Sequence, residues 1–227
     1  MVKDSFHKIK LLQRIRRTPT VESFRFTSDD KIKFYSGQFL KIIFDEEDLN
    51  NKELNKYLSF SNSPLRNYIE VTKRLSQSEF SKRLKSLNID DYLLIQAPLG
   101  NCIFKEEYKK IAFLIGGIGI TPVISIVEYI VDRNLDTEVV VFYSNRTSED
   151  IPFKEELDNW QASNSNIKVI YTLGNIDKEL LIREFKYFTE RIFFIFGPPK
   201  MVEAMVELCA QLGISKDNTK TETFLGY

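Results

Sequence analysis

The segment Ile111–Pro122 constrains the fold of this chain more than any other part of its sequence. Five apolar residues lead into the glycine-rich run 116–119, and a second apolar run follows Thr121 and Pro122. This order predicts a buried strand, a glycine turn and a helix, with Thr121 as the N-cap and Pro122 at the first helical position. Glycines let an anion approach the backbone, and a helix start offers free N–H groups. The segment therefore predicts a site for a nucleotide pyrophosphate.

Two other interpretations of this segment compete with that one. Residues 111–131 contain a single charged side chain, Glu128, and about 20 apolar residues are enough to span a bilayer. The glycines and Pro122 interrupt the run where a strand would become a helix, which argues against a membrane span. An empty strand-to-helix turn would also use glycine. Because Pro122 stands where the fingerprint G-x-G-x-x-G has its last glycine, the turn is of a different kind.

The composition of the chain argues against several classes of function. Its 227 residues include 32 basic and 32 acidic side chains, so no bulk positive charge favours nucleic-acid binding. Two cysteines and one histidine cannot hold an iron–sulfur cluster alone and are a poor basis for zinc, so we expect no metal site. Cys209 is expected in the core. The first residues lack the apolar run of a signal peptide, which favours a cytoplasmic protein.

The second half of the sequence alternates apolar strands with helical patterns. Strands are predicted at 111–115, 138–143, 167–171 and 191–196, with a short last strand near Thr221–Phe224. Helices are predicted at 121–132, 153–162, 177–187 and 199–212, with Gly213 placed to end the last one. Continuous apolar strands spaced by helices are typical of a parallel sheet covered on both faces. This half therefore predicts a doubly wound α/β domain with a five-stranded parallel sheet.

The first half of the sequence has the pattern of an antiparallel sheet. Short β-like runs are predicted at 7–17, 21–26, 38–44, 57–61, 68–73 and 92–96, with turn residues between them. One helix is predicted at 79–87, because Phe80, Leu84 and Leu87 share one side. This half predicts a Greek-key antiparallel β-barrel with one helix. The seam lies near the charged stretch Lys105–Lys110, so the domains are expected at 1–104 and 105–227.

Two further segments carry candidate ligand contacts. A two-domain chain of this kind is expected to bind its ligand in the crevice between the domains, at the carboxyl ends of the parallel strands. The turn Phe196–Pro199 repeats the design of the first one, with an apolar strand, a glycine and a proline at a helix start. The segment Lys56–Pro64 combines apolar side chains with hydroxyls. This mixture suits a flat aromatic ligand, although an ordinary barrel strand has the same pattern.

Several motifs, in order along nearly the whole chain, resemble those of the ferredoxin–NADP reductase superfamily. Lys56–Ser59 occupies the place of the family's Arg-x-Tyr-Ser/Thr flavin motif, and Ser78–Ser81 resembles the turn that holds the flavin pyrophosphate. The other matching segments are Gly37–Phe39 for the entry strand, Ala97–Gly100 for the turn that closes the barrel, Gly116–Pro122 for the nicotinamide-nucleotide turn, Gly197–Met201 for the Cys-Gly-Pro-Pro-x-Met segment, and Glu222–Tyr227 for the C-terminus.

The resemblance implies a flavin-dependent NAD(P)H oxidoreductase, with FAD on the barrel and NADPH or NADH on the second domain. The implied FAD-binding residues are Lys56, Tyr57, Leu58, Ser59, Val71, Thr72, Lys73, Ser78, Phe80, Ser81 and Phe224. The implied coenzyme-binding residues are Gly116, Gly117, Gly119, Ile120, Thr121, Pro122, Ser144, Arg146, Gly197, Pro198, Pro199 and Met201. The implied catalytic residues are Ser59 and Glu222, for hydrogen bonds near the reacting ring, and Phe224 and Tyr227, for shielding the flavin.

The chain departs from the family's pattern at three of these positions. Lys56 replaces the arginine, and it keeps a charge for a phosphate without the bidentate fork. Leu58 replaces the tyrosine; it can pack against a flavin but cannot hydrogen-bond to it, which predicts weaker flavin binding. Phe196 replaces the cysteine near the nicotinamide, so the details of hydride transfer are expected to differ.

The electron acceptor and the choice of coenzyme stay open at this point. A protein acceptor such as ferredoxin, flavodoxin or a component of an oxygenase or multisubunit complex is implied. The basic run Lys8–Arg17 could dock it, or could be the solvated face of a strand. Arg146 could hold the 2′-phosphate of NADPH, or pair with Glu149 or Asp150. The alternatives are a flavin reductase that uses free flavin, an electron-transfer subunit and a regulatory nucleotide-binding module.

Overall fold

The computed structural model describes residues 5–185 and 187–224. Grouped by their internal contacts, these residues form two compact units. One contains the chain up to Ile103 together with Thr121–Asp132, and the other contains Phe104–Ile120 and the residues from Arg133 onward. Within the described ranges, no helix combines the length and the apolar character that crossing a bilayer requires.

Antiparallel strands build the first unit. They are β1 (Ser5–Arg16), β2 (Val21–Thr27), β3 (Phe39–Ile43), β4 (Asn55–Ser59), β5 (Ile69–Arg74) and β6 (Tyr92–Leu99), with helix α1 (Glu79–Ser86) between β5 and β6. Among the described residues, these strands form one six-stranded sheet in the order β4-β3-β6-β1-β2-β5. A bridge between Phe60 and Val71 links its two ends. The predicted antiparallel barrel with its helix is confirmed.

The interior of the barrel is aromatic on one side and polar on another. Phe34 and Phe60 stack with ring centroids 3.8 Å apart, and Phe80 and Leu84 of α1 are fully buried against this cluster. The buried carboxylate of Glu70, by contrast, lies in a polar network of arginines and hydroxyls. Burial of α1 follows from its sequence, since its apolar residues share one face.

Parallel strands build the second unit. They are β7 (Lys110–Gly116), β8 (Glu138–Asn145), β9 (Ile167–Leu173), β10 (Ile192–Gly197) and β11 (Thr219–Thr223). The helices are α3 (Lys154–Ser163), α4 (Lys178–Glu184) and α5 (Pro199–Gln211), while α2 (Thr121–Asp132) groups with the first unit. In the described part of the chain the five strands pair in the order β11-β10-β7-β8-β9, all in parallel. The predicted five-stranded parallel sheet, including its short last strand, is confirmed.

Helix α5 is terminated by Gly213, as the sequence predicts. Gly213 has a left-handed backbone with φ +74°, directly after the last residue of the helix cap, Leu212. The N–H of Gly213 donates to Ala210 and that of Ile214 to Cys209, both at 3.0 Å. These two bonds form a Schellman motif, which glycine favours because it has no Cβ. Cys209 itself is buried, as predicted.

The predicted N-cap at Thr121 is wrong. A 3₁₀ turn, Gly117–Ile120, follows β7 and runs directly into α2, so Thr121 is the first residue of α2 and Pro122 the second. The physical reason is that the 3₁₀ turn Gly117–Ile120 directly precedes Thr121, so Thr121 lies within the helical backbone and not at its start. A smaller difference is that β6 continues through Ala97–Leu99, where the sequence predicts a turn.

Candidate functional site

The first glycine turn has three glycines with three different surroundings. Gly117 has φ +53°, and no described atom lies within 4 Å of the place where its side chain would be. A methyl group on Gly119 would overlap the backbone carbonyl of Phe196. At Gly116 the methyl would meet the sulfur of Met201. The open side of the turn is therefore at Gly117, whereas Gly119 is small because the backbone of β10 passes against it.

The second glycine turn lies beside the first. Phe196 pairs with Ile115 in the parallel register of β10 and β7, so Gly116 and Gly197 are the last residues of neighbouring strands at the same edge of the sheet. Met201 in the first turn of α5 reaches both glycines. Pro199 is the first residue of that helix and Pro198 its N-cap. Two glycine turns that open helices at adjacent strand ends form a surface that a phosphate group can approach.

The end of β8 adds polar groups at the same edge of this sheet. Ser144 donates its hydroxyl to the carbonyl of Gly174. Arg146 is exposed, and among the described ion pairs none involves it. No described ion pair joins Arg146 to Glu149, and the Glu149 carboxylate accepts from Ser148 at 2.7 Å. The Arg146 guanidinium is therefore available to a ligand.

Asn145 is a polar residue that the sequence reasoning missed. Its side chain is 5% exposed, and in the part of the chain that the structure describes its Nδ2 has no hydrogen-bond partner. Burying an amide without a partner is costly, so such a group is unusual at a strand end. Asn145 follows Ser144 at the end of a strand, and its neighbours in sequence give no signal that its amide would be buried.

The C-terminal strand runs along the second glycine turn. Glu222 of β11 pairs with Phe196 in the strand register, and the N–H of Phe224 donates to the carbonyl of Gly197 at 3.0 Å. Glu222 is partly buried, and burial raises the pKa of its carboxyl to about 7. Two of the predicted catalytic residues thus lie beside Gly197, while Tyr227 lies outside the described residues.

In the first unit, two lysines that are predicted to bind FAD, Lys56 and Lys73, are close enough to affect each other's charge. Burial lowers the pKa of the Lys73 ammonium, and the charges of Lys56 and Arg74 lower it further. The Lys73 Nζ donates to the Arg74 carbonyl at 3.0 Å. A cluster of like charges that is partly desolvated is relieved by a bound anion. The chemistry of this cluster fits a pyrophosphate.

The residues of β4 near this cluster offer different kinds of contact to a flavin. Ser59 is buried, and its hydroxyl has no partner among the described residues. Leu58 packs on the barrel core, while Tyr57 is exposed and meets the ring of Phe39 edge-on at 5.7 Å. An unpaired buried hydroxyl at the end of β4 is a hydrogen-bonding group that a ligand can satisfy.

Other predicted flavin residues have their side chains occupied inside the barrel. Val71 and Phe80 are fully buried in the core. The Thr72 hydroxyl bonds to those of Ser23 and Ser61, at 2.6 and 2.8 Å. The side chains of these three residues are therefore occupied within the barrel.

Ser78 and Ser81 are bonded to each other at the start of α1. Ser78 is the N-cap and accepts from the Ser81 N–H at 3.3 Å. The two hydroxyls lie 3.1 Å apart, and that of Ser76 lies 3.2 Å from Ser81. The Ser78 hydroxyl therefore caps the N-terminus of α1, and Ser78 is exposed to solvent.

The chain is similar to known oxidoreductases in sequence and in fold. A family model described as an oxidoreductase NAD-binding domain matches residues 113–207. The chain is 27% identical to NADH-cytochrome b5 reductase 1 of Mortierella alpina, over 94% of this chain and 77% of that protein. It is also 27% identical to nitrate reductase (NADH) 1 of Nicotiana tabacum, over 87% of this chain but 26% of that protein. A ferredoxin–NADP+ reductase from Plasmodium falciparum shares the fold with a TM-score of 0.80 at 18% identity, over 96% of each chain.

These matches support the predicted resemblance to the ferredoxin–NADP reductase superfamily. They also support the predicted class of oxidoreductase and the two predicted cofactors, FAD and a nicotinamide coenzyme. The residues of this chain fit both groups. Lys56 and Lys73 supply charge for a phosphate, Ser59 supplies an unpaired hydroxyl, and Gly117 leaves an open backbone.

The raised pKa of Glu222 predicts a pH dependence of stability in this protein. Its pKa is about 7 in the folded protein against 4.5 ordinarily, so the folded state binds this proton more tightly. The stabilisation is complete below about pH 4.5 and is lost as the pH rises through 7. Because the carboxyl is only partly buried, we expect a loss of about 1–2 kcal/mol. Urea unfolding at pH 5 and pH 7.5 measures it, and Glu222→Gln should remove this contribution. An equal pH slope in both proteins would refute the assignment.

Proposed function

We propose that this flavin-dependent NAD(P)H oxidoreductase binds FAD through its first unit and the coenzyme through its second, and passes electrons to a redox protein. The chemistry that FAD would supply when bound is two-electron reduction by a nicotinamide coenzyme and onward transfer of the electrons to an acceptor. The observation that carries the proposal is the pair of glycine turns at the adjacent ends of β7 and β10, each opening a helix. The domain boundaries at 1–104 and 105–227 and the cytoplasmic location stay predictions.

The residues of the chain have distinct roles in this proposal. Lys56 and Lys73 neutralise the flavin pyrophosphate, and the Ser59 hydroxyl donates to the flavin ring. Gly116 and Gly117 let the coenzyme pyrophosphate approach the backbone. Glu222, whose pKa burial raises to about 7, holds its proton to a higher pH than an exposed carboxyl and can then donate a hydrogen bond. Phe224 is proposed to shield the flavin ring.

The proposal also specifies the class of protein that accepts the electrons. The sequence suggests ferredoxin or flavodoxin, whereas the name of the Mortierella alpina relative specifies cytochrome b5. We therefore propose a small one-electron redox protein, with a cytochrome b5-type haem protein as the first candidate. Among the described residues no cluster of His, Cys, Asp or Glu is placed to hold a metal ion, so electron transfer onward is proposed to use the partner's own redox centre.

The absorption spectrum of the purified protein tests the proposed function. We expect a yellow protein whose flavin bands bleach when NADPH or NADH is added without oxygen. Reoxidation by cytochrome b5, ferredoxin or flavodoxin then ranks the acceptors. A colourless protein that reduces added free flavin would replace the proposal by a flavin reductase. A colourless protein with no dye-reducing activity, with or without added flavin, would overturn it.

Arg146 predicts the preference between the two coenzymes. The exposed guanidinium at the end of β8 is expected to pair with the 2′-phosphate of NADPH, a charge-assisted contact. Arg146→Ala should therefore lower kcat/KM for NADPH about tenfold or more and change that for NADH less than about twofold. Arg183→Ala, an exposed arginine on α4, is the control. An equal effect on both coenzymes, or none on NADPH, would contradict this role.

A further inference from the structure

Tyr143 on β8 places a buried hydroxyl against the first glycine turn. Its side chain is 0% exposed. The hydroxyl donates to the carbonyl of Gly117 at 3.0 Å and lies 3.4 Å from the carbonyl of Pro152. A hydroxyl has one proton to donate, so the shorter distance marks Gly117 as the main acceptor.

The hydrogen bond acts on the most open part of the turn. Gly117 adopts φ +53°, and no described atom lies within 4 Å of the place of its side chain. Glycine enters this conformation without cost but also leaves it easily. Because a peptide group is planar, holding the Gly117 carbonyl also fixes the direction of the N–H of Ile118. Tyr143 therefore sets the peptide plane at the entrance of the turn.

The other end of the turn is held in a different way. Gly119 packs against the backbone carbonyl of Phe196, where even a methyl group would overlap. That contact is between backbones and needs no side chain. At the Gly117 end the contact that fixes the backbone comes from the Tyr143 hydroxyl. The same hydroxyl is near Pro152, which lies in the buried segment 151–153, so it connects the turn to a buried part of the second unit.

We propose that Tyr143 is a positioning residue for the coenzyme: its hydroxyl holds the peptide between Gly117 and Ile118 in the orientation that receives the coenzyme pyrophosphate. The inference rests on the proposed function, because it assumes that this turn binds the coenzyme. Tyr143 does not touch the ligand in this account. It acts through the backbone, so its loss should weaken binding and leave the rate of hydride transfer from bound coenzyme nearly unchanged.

The test compares Tyr143→Phe with Tyr171→Phe. Tyr171 is a matched control, because its ring centroid lies 6.2 Å from that of Tyr143 while its hydroxyl donates to Asp158 at 2.8 Å, away from the turn. Calorimetric titration with NADP+ and NAD+ measures binding without turnover. We expect Kd for the tighter of the two to rise about five- to tenfold in Tyr143→Phe and less than about twofold in Tyr171→Phe.

Hydrogen exchange provides a second readout that needs no coenzyme. In the unliganded protein, amide exchange of a peptide covering 113–122 should be about fivefold faster in Tyr143→Phe and unchanged in Tyr171→Phe. Unchanged exchange of this peptide, or an unchanged Kd in a variant that has only lost thermal stability, overturns the inference and leaves the proposed function intact. If the wild-type protein binds neither coenzyme, the proposed function fails first and the inference fails with it.

Discussion

Replacing Glu70 by leucine is expected to lower the free energy of unfolding by about 3–4 kcal/mol, because it removes the shared partner of a buried polar network. The carboxylate is 1% exposed. It pairs with Arg17 at 3.2 Å and with Arg25 at 2.7 Å, and accepts from the Ser61 hydroxyl at 3.1 Å. Without it, the nearly buried Arg17 guanidinium loses its counter-ion, and burying an uncompensated charge is costly. Urea unfolding of the two proteins at pH 7 measures the difference.

Glu22→Gln is the matched control for this prediction. Glu22 pairs with Arg14 at 2.8 Å, but both side chains are partly exposed, at 17% and 33%. Solvent screens such a pair, so we expect a loss below about 1 kcal/mol. If Glu70→Leu costs no more than Glu22→Gln, the buried network does not stabilise the barrel.

Gly119→Ala is expected to have the largest effect on the second unit. The added methyl would overlap the backbone carbonyl of Phe196, and a backbone cannot rotate away as a side chain does. The turn and β10 would have to separate, which we expect to cost about 2–3 kcal/mol of unfolding free energy. Since the same turn is proposed to receive the pyrophosphate, coenzyme Kd should rise more than about tenfold. Urea unfolding and calorimetric titration measure the two effects.

Gly116→Ala tests whether the effect comes from the backbone contact. The methyl at this position would meet the sulfur of Met201, which is the end of a flexible side chain and can move. We expect a loss of about 1 kcal/mol or less. Equal destabilisation by the two substitutions would contradict the prediction that the backbone contact of Gly119 with β10 makes Gly119→Ala more costly.

The strands and helices of both units could be predicted because their burial follows local periodicity. Residues 111–115 are all fully buried, which is why the run reads as a strand covered on both faces. Phe80 and Leu84 share one face of α1 and are buried, as their helical spacing indicates. Gly213 ends α5 because it alone in that segment adopts a left-handed backbone without strain. In each case neighbours in sequence decide the outcome.

The candidate site was less predictable, since its properties depend on residues that are distant in the chain. Lys56 and Lys73 were each predicted to bind the flavin, but their mutual repulsion follows from the folding of the barrel. Thr72 was predicted to contact the flavin, whereas its hydroxyl bonds to two other strand hydroxyls. Thr121 was predicted as an N-cap, but a 3₁₀ turn directly precedes it, so it does not lie at the start of the helical backbone. Asn145 and Tyr143 were missed because nothing in their neighbours distinguishes them from other strand residues.

The sequence by itself determined the antiparallel and parallel character of the two sheets and the positions of the two glycine turns. It could do so because alternation, apolar runs and the conformations of glycine and proline act over a few residues. Only the tertiary structure decided which atoms surround each glycine of the first turn. Gly117 leaves its backbone open, Gly116 lies under Met201, and Gly119 packs on the carbonyl of Phe196. The physical reason is that steric exclusion and hydrogen bonding depend on distances in space, and the parallel sheet brings residues 117, 143 and 196 together from three separate strands and turns.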